Sequence, residues 1–133
     1  MYKYLFICQE NIGRSQMAEA FLNHKLGGNY SISAGLVDST TKYNGHPRPD
    51  VIQVMQEVEI DIHNHRIKVL TRQMLEIVEK IVVLCEKDMC PDIVINKPNV
   101  AYFMVNDPPD KDKTIDVLRN MREQIETIVA RLK

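Results

Sequence analysis

Tyr2 to Cys8 is a short, apolar, aromatic-rich run, and a segment of helical spacing follows it: Met17, Ala18, Phe21, Leu22 and Leu26 recur on one face before Gly27-Gly28. A run of this length that is apolar at nearly every position reads as a strand buried on both faces. The same rhythm recurs along the chain. Tyr30 to Ala34 reads as a second strand closed by Gly35, and Pro49 opens a helix carrying Val51, Ile52, Val54, Met55 and Val58. A helix is expected from about residue 71 to 79, a third strand over 80–85 and a fourth over 100–105. A last helix places Ile115, Leu118, Met121, Ile125, Ile128, Val129 and Leu132 on one stripe. Strands separated by helices in this order build β-α-β units and hence a parallel sheet, an α/β architecture. Residues 36–47 and 107–110 are polar, turn-rich loops.

At 133 residues the chain is the size of one domain, and neither a linker nor an internal repeat divides it. Seventeen basic against eighteen acidic residues leave a formal net charge of −1, which excludes the strongly basic footprint of a nucleic-acid binder. No apolar run approaches the roughly 18 residues of a membrane span, and no secretory signal is apparent at the N-terminus. Three cysteines, an odd number, do not suggest a disulfide framework. A cytoplasmic monomer, with no nucleic acid or membrane among its partners, is the resulting expectation.

In a parallel sheet, ligands bind outside the carboxyl ends of the strands. Cys8, Ala34-Gly35, Cys85 and Asn106-Asp107 stand at those expected ends. Between the first strand and its helix runs Cys8-Gln9-Glu10-Asn11-Ile12-Gly13-Arg14-Ser15. Five residues between Cys8 and Arg14 suffice for a tight loop whose backbone N–H groups converge, and the helix end adds its positive dipole. Such a loop, from Gln9 to Arg14, suits a tetrahedral oxyanion, with the planar fork of Arg14 as its clamp. The same field favours a thiolate at Cys8, to which Ser15 can donate a hydrogen bond. Asn11 tolerates a left-handed backbone and Gly13 a close approach.

These residues, continued by Gln16-Met17-Ala18-Glu19-Ala20-Phe21, resemble the signature of the low-molecular-weight protein-tyrosine phosphatase superfamily, which includes thioredoxin-coupled arsenate reductases. Ser33-Ala34-Gly35, Ile60-Asp61-Ile62 with His65, Val82-Val83-Leu84-Cys85 and Asp107-Pro108 follow in the family's order. The resemblance implies a three-layer, flavodoxin-like fold: a four-stranded parallel sheet of order 2-1-3-4 with helices on both faces. It also implies Cys8 as nucleophile, Arg14 as oxyanion clamp and Asp107 as general acid. His65 would brace the loop asparagine. Asn11, Glu19, Ser33 and Asp61 match a potassium site found in some reductases of the family; no other cofactor is implied. The plainer alternative is that Glu19 and Asp61 only satisfy loop backbone groups, and His63 with His65 lacks the ligand cluster of a metal site. Two departures stand out. Glu10 places a carboxylate in a loop built for anions, and Pro109-Asp110 replace the tyrosines that follow Asp-Pro in many tyrosine phosphatases, leaving Tyr43 as a substitute aromatic wall.

Three readings follow. An arsenate reductase would pass oxidation from Cys8 to Cys85 to Cys90, with thioredoxin as the final reductant; four residues separate the last two cysteines, fewer than in the family pattern. The alternative is a tyrosine phosphatase that hydrolyses phosphate monoesters through a Cys8 phosphocysteine. The third is a binding module that senses an oxyanion or redox state without turnover. The order of the thiols puts the reductase first.

Overall fold

The computed structural model describes residues 1–132 and contains the strands β1 (Tyr2–Cys8), β2 (Ser31–Gly35), β3 (Val78–Val83) and β4 (Val100–Tyr102). They pair in parallel in the order β2-β1-β3-β4, the expected winding. The helices are α1 (Arg14–Leu26), α2 (Pro49–Gln56), α3 (Arg72–Glu76), α4 (Asp92–Ile95) and α5 (Ile115–Ala130). No described helix is long and apolar enough to cross a membrane.

Strand alternation sorts the core into two layers. Tyr4 and Phe6 of β1, with Val82 and Leu84, pack against Met17 and Phe21 of α1, Val54 of α2 and Leu118, Met121 and Ile125 of α5. Leu5 and Ile7, with Ile81 and Val83, face Leu75 of α3 and Val94 of α4. Leu5, Phe6 and Ile7 have no exposed surface, as a central parallel strand covered on both faces requires.

The structure shifts three expected elements. The helix expected to 79 ends at Glu76, and β3 begins at Val78 because Tyr2 of β1 pairs with it. Cys85 therefore lies beyond the end of β3 instead of terminating it. β4 stops at Tyr102 although Phe103 N–H still reaches Val83 O (2.9 Å) and Val105 N–H reaches Leu84 O (2.9 Å). Two residues advance on one side for a single residue on the other, so the regular ladder breaks. Asn106-Asp107 consequently leave the sheet as a loop.

The first loop crosses close to the end of β2. A Cβ added at Gly35 would lie 2.6 Å from the carbonyl carbon of Glu10 and 3.0 Å from the backbone nitrogen of Asn11. Gly35 also bonds through both backbone groups to the strand-like segment at Lys68 and Leu70, so neither side can yield cheaply. Gly35→Ala should therefore cost about 1–3 kcal/mol of unfolding free energy by overpacking, read by urea denaturation; an unchanged midpoint would mean that the loop moves freely away from β2.

Candidate active site

Asn11 organises the loop that leaves β1. Its φ of +64° is the left-handed conformation that asparagine tolerates better than most side chains. The side chain is wholly buried and spends every hydrogen-bonding function. Nδ2 donates to Ser15 Oγ (2.7 Å) and Ser33 Oγ (2.9 Å); Oδ1 accepts from Gln16 Nε2 (2.9 Å) and Lys68 N–H (2.8 Å). The start of α1 and two segments distant in sequence, β2 and the stretch at Lys68, are thereby tied to one loop residue.

Cys8, Ser15 and Arg14 stand around it. Cys8 Sγ lies 2.9 Å from Ser15 Oγ and accepts the Asn11 backbone N–H at 3.3 Å. Because Asn11 Nδ2 already donates to Ser15 Oγ, the Ser15 hydroxyl proton is free to point at the sulfur. Met17 N–H bonds Gly13 O and closes the first turn of α1. The N–H groups of Arg14, Ser15 and Gln16 precede that bond, and no acidic side chain occupies the turn to offset their field. Gln9 to Gly13 complete the loop, with Gly13 capping the helix without a side-chain bond.

Arg14 is 7% exposed, and its Nη1 donates to Leu84 O (3.2 Å) and Val105 O (2.9 Å), just past the ends of β3 and β4. Those bonds fix the guanidinium plane. Nη2 lies 3.5 Å from Asp107 Oδ2, and Lys113 Nζ lies 2.8 Å from Asp107 Oδ1. Asp107 is thus at the loop mouth despite its position outside β4. A narrow cleft opens there between Glu10, Ile12, Arg14, Arg48, Asp107 and Lys113. The basic side chains Arg48 and Lys113 were not singled out in the sequence. Lys113 reaches the mouth by folding back over the turn at Asp110–Asp112, a path with no local motif; Arg48 has a weak signal as the basic residue before the Pro49 helix start.

Glu10, at the cleft edge, has its carboxylate engaged by neighbours from the following loop. Its carboxylate accepts from Ser39 Oγ (2.7 Å) and pairs with Lys42. Burial pushes the Glu10 carboxyl upward, but the bonds from Lys42 and Ser39 outweigh it and hold the group below the ordinary carboxylate range. The expected conflict with a bound anion is relieved by this local pairing. Tyr43 is 39% exposed in a turn and does not line the cleft, so it supplies no aromatic wall there.

His65 reaches the loop asparagine through Gln16, and the expected cation set assembles in part. His65 Nδ1 bonds Gln16 Oε1 (3.1 Å), and Gln16 in turn holds Asn11, so the histidine braces the asparagine through an intermediary. Burial, together with the Lys68 charge, lowers its pKa against the pull of Glu19, which keeps the ring neutral. Asn11, Ser33 and Glu19 do meet, since Ser33 Oγ donates to Glu19 Oε1 at 2.9 Å. Asp61 does not join them: it is exposed and bonds His63 through backbone and ring (2.9 and 2.6 Å). Lys68 Nζ stands 3.6 Å from Glu19 Oε1, and Asn11 Oδ1 has both lone pairs engaged. Three of the four residues expected at a potassium site therefore come together while Asp61 stands apart, and an ammonium faces the carboxylate of Glu19. The described residues contain no group of three or more His, Cys, Asp or Glu able to hold a metal ion.

All three cysteines are free and buried. Cys85 is 1% and Cys90 7% exposed, and both lie in the second layer, whereas Cys8 is held on the α1 side by Ser15. Burial and the neighbouring Cys90 and Cys8 sulfurs push the Cys85 thiol up to about 12. Burial also raises Cys90, opposed by its hydrogen bond with Cys85. Gln9, Arg14, Cys85, Met89 and Asp107 line a second opening of about 370 Å³ beside the loop. The structure therefore gathers Cys8, Arg14, Ser15 and Asp107 at one mouth and sets the Cys85–Cys90 pair behind it.

A family-wide profile described as low molecular weight phosphotyrosine protein phosphatase matches residues 3–133. An arsenate reductase of Staphylococcus haemolyticus is 38% identical over 112 residues, covering 80% of this chain and 77% of the relative. One from Staphylococcus xylosus is 33% identical over 133 residues, covering 96% and 93%. Among solved structures, a tyrosine phosphatase of Erwinia amylovora superposes with a TM-score of 0.82 at 22% identity, covering 96% of this chain and 88% of the other, a likeness of fold.

Exchanging potassium for sodium as the sole monovalent cation should leave both the melting temperature and inhibition by inorganic phosphate unchanged; a potassium-specific gain in either would reinstate the cation site. In the reduced protein at pH 7, Cys85 should also resist iodoacetamide, since a thiol near 12 is ionised in only about one molecule in 10⁵; rapid labelling would contradict its burial.

Proposed function

The chain belongs to the low molecular weight phosphotyrosine protein phosphatase family and is an enzyme of that family, and on this premise we propose that it reduces arsenate to arsenite at the expense of its own thiols. The observation that carries the reading is the burial of Cys85 and Cys90 side by side in the layer behind an anion loop that starts from Cys8. A hydrolase needs only the first of these sulfurs.

In the proposed cycle, the N–H groups at the start of α1 and the Arg14 guanidinium hold the arsenate oxygens. The Cys8 thiolate, supported by Ser15 and the Asn11 N–H, attacks arsenic and a hydroxyl leaves as water. Cys85 then attacks Cys8 Sγ. The new S–S bond forms as the S–As bond breaks, its electron pair stays on arsenic, and arsenite departs. Cys90 exchanges into the disulfide and frees Cys8, and a dithiol protein such as thioredoxin restores the pair. The burial that holds the Cys85 thiol high in the resting protein assigns a movement of the 85–90 segment to the second step: losing that burial, beside the Arg14 charge that already favours the thiolate, is what activates it.

Phosphate monoester hydrolysis is the second reading, and Asp107 at the loop mouth favours it. There Asp107 would protonate the leaving oxygen after Cys8 attacks phosphorus. One loop and one nucleophile serve both reactions. Among the described residues no aromatic side chain lines the cleft, which weighs against a phosphotyrosine side chain and for a small oxyanion.

Cys8→Ser should abolish both activities. Cys85→Ser and Cys90→Ser should each stop thioredoxin-dependent arsenate turnover by at least 100-fold while aryl phosphate hydrolysis stays within about twofold. Wild-type protein that consumes no reduced thioredoxin in the presence of arsenate would overturn the reductase reading. For the hydrolase, Asp107→Asn should slow a poor leaving group far more than a good one; equal losses would remove Asp107 as the acid.

A further inference from the structure

Within the second layer, Tyr102 at the end of β4 carries a buried hydroxyl with no hydrogen-bond partner among the described residues. A buried polar atom left unpaired is costly, and its retention calls for a reason. Its surroundings supply one. The Tyr102 ring packs against the cluster that contains Cys85 and Cys90, and Lys87, in the turn joining those two cysteines, places Nζ 5.2 Å from the ring centroid.

The demand for a donor arises at Cys90. In the resting protein, burial raises the Cys90 thiol and a hydrogen bond with Cys85 offsets part of that. Once Cys85 is bound in a disulfide with Cys8 it has no S–H left to give. Cys90 must then ionise in an apolar layer at the moment its existing helper disappears. Tyr102 remains. Burial and the nearby Cys90 raise the phenol's own pKa, so it keeps its proton through the neutral range. Cys85 acts on Cys90 through its hydrogen bond, Cys90 acts in turn on the Tyr102 phenol, and Lys87 lies over that ring; Glu86, Asp88 and Asp92 are exposed.

We propose that the Tyr102 hydroxyl, unspent in the resting state, donates a hydrogen bond to the Cys90 sulfur as it becomes a thiolate, and so readies Cys90 to resolve a Cys8–Cys85 disulfide. The inference rests on the thiol relay proposed above. The exchange balances without an added oxidant: Cys90 loses its proton to solvent, its sulfur bonds Cys85 Sγ, the Cys8–Cys85 bond breaks, and the electron pair leaves on Cys8. Lys87 over the ring ties the segment between the two cysteines to β4, the strand that carries the donor.

The experiment reads Cys90 directly. Iodoacetamide labelling of the Cys90 peptide is followed by mass spectrometry from pH 6 to 11 in the Cys85→Ala protein, which mimics loss of the Cys85 donor, and in the same protein carrying Tyr102→Phe. Circular dichroism confirms that both are folded. The phenylalanine substitution should move the labelling profile up by about one pH unit and slow labelling at pH 8 on the order of tenfold. Coincident profiles, or a downward shift, would overturn the proposal. Neither arsenate nor thioredoxin enters this measurement, so its failure is distinct from failure of the reductase reading, which the Cys90→Ser turnover assay tests.

Discussion

The candidate site depends on one buried amide. Asn11 accepts the left-handed turn that brings the chain from β1 to α1, and its side chain exhausts both donors and both lone pairs on α1, β2 and the segment at Lys68. In a dry interior each of those bonds is costly to leave unmade. The loop therefore has one conformation that satisfies the amide, and that conformation sets Ser15 against Cys8 and turns the N–H groups of α1 toward the anion. A polar network at the base of the site does the work that a metal ion could do elsewhere. Lys68 beside Glu19 gives it a covalently attached cation.

Charge is arranged on the same local scale. The chain is nearly neutral, yet Arg14, Arg48 and Lys113 line the cleft, each within reach of a carboxylate: Asp107, Asp50 and Asp110. Pairing lets three cations sit partly buried without mutual repulsion dominating. An oxyanion of one or two charges can enter such a mouth and exchange places with a weakly held carboxylate, Arg14 and Asp107 being 3.5 Å apart. The sheet adds a second partition. Cys85 and Cys90 are buried in the layer with α3 and α4, beside the loop that starts at Cys8.

Much of this was legible in the chain because it is local. The anion loop is a contiguous segment between a buried strand and an amphipathic helix, and Cys8, Arg14 and Ser15 fall where its geometry demands. The two layers follow from alternation along β1 and β3. What was not legible depends on returns of the chain from far away. Lys113 reaches Asp107 over a turn, Lys68 reaches Glu19 from a segment laid beside β2, and the bond from Gln16 to Asn11 depends on how the loop packs. Asp61 matches a site by position but is captured by His63 two residues on, a contact that outcompetes a distant cluster. β4 was expected to run to Val105, and a two-for-one step against β3 ended it early.

The central claim is that Asn11 holds the loop in its anion-binding form. It is tested most directly by the phosphate concentration that protects Cys8 from alkylation, compared between wild-type protein and Asn11→Ala. If the amide organises the loop, protection in the variant should need at least tenfold more phosphate while β1 and α1 remain folded by hydrogen exchange. Equal protection in the two proteins would contradict the account.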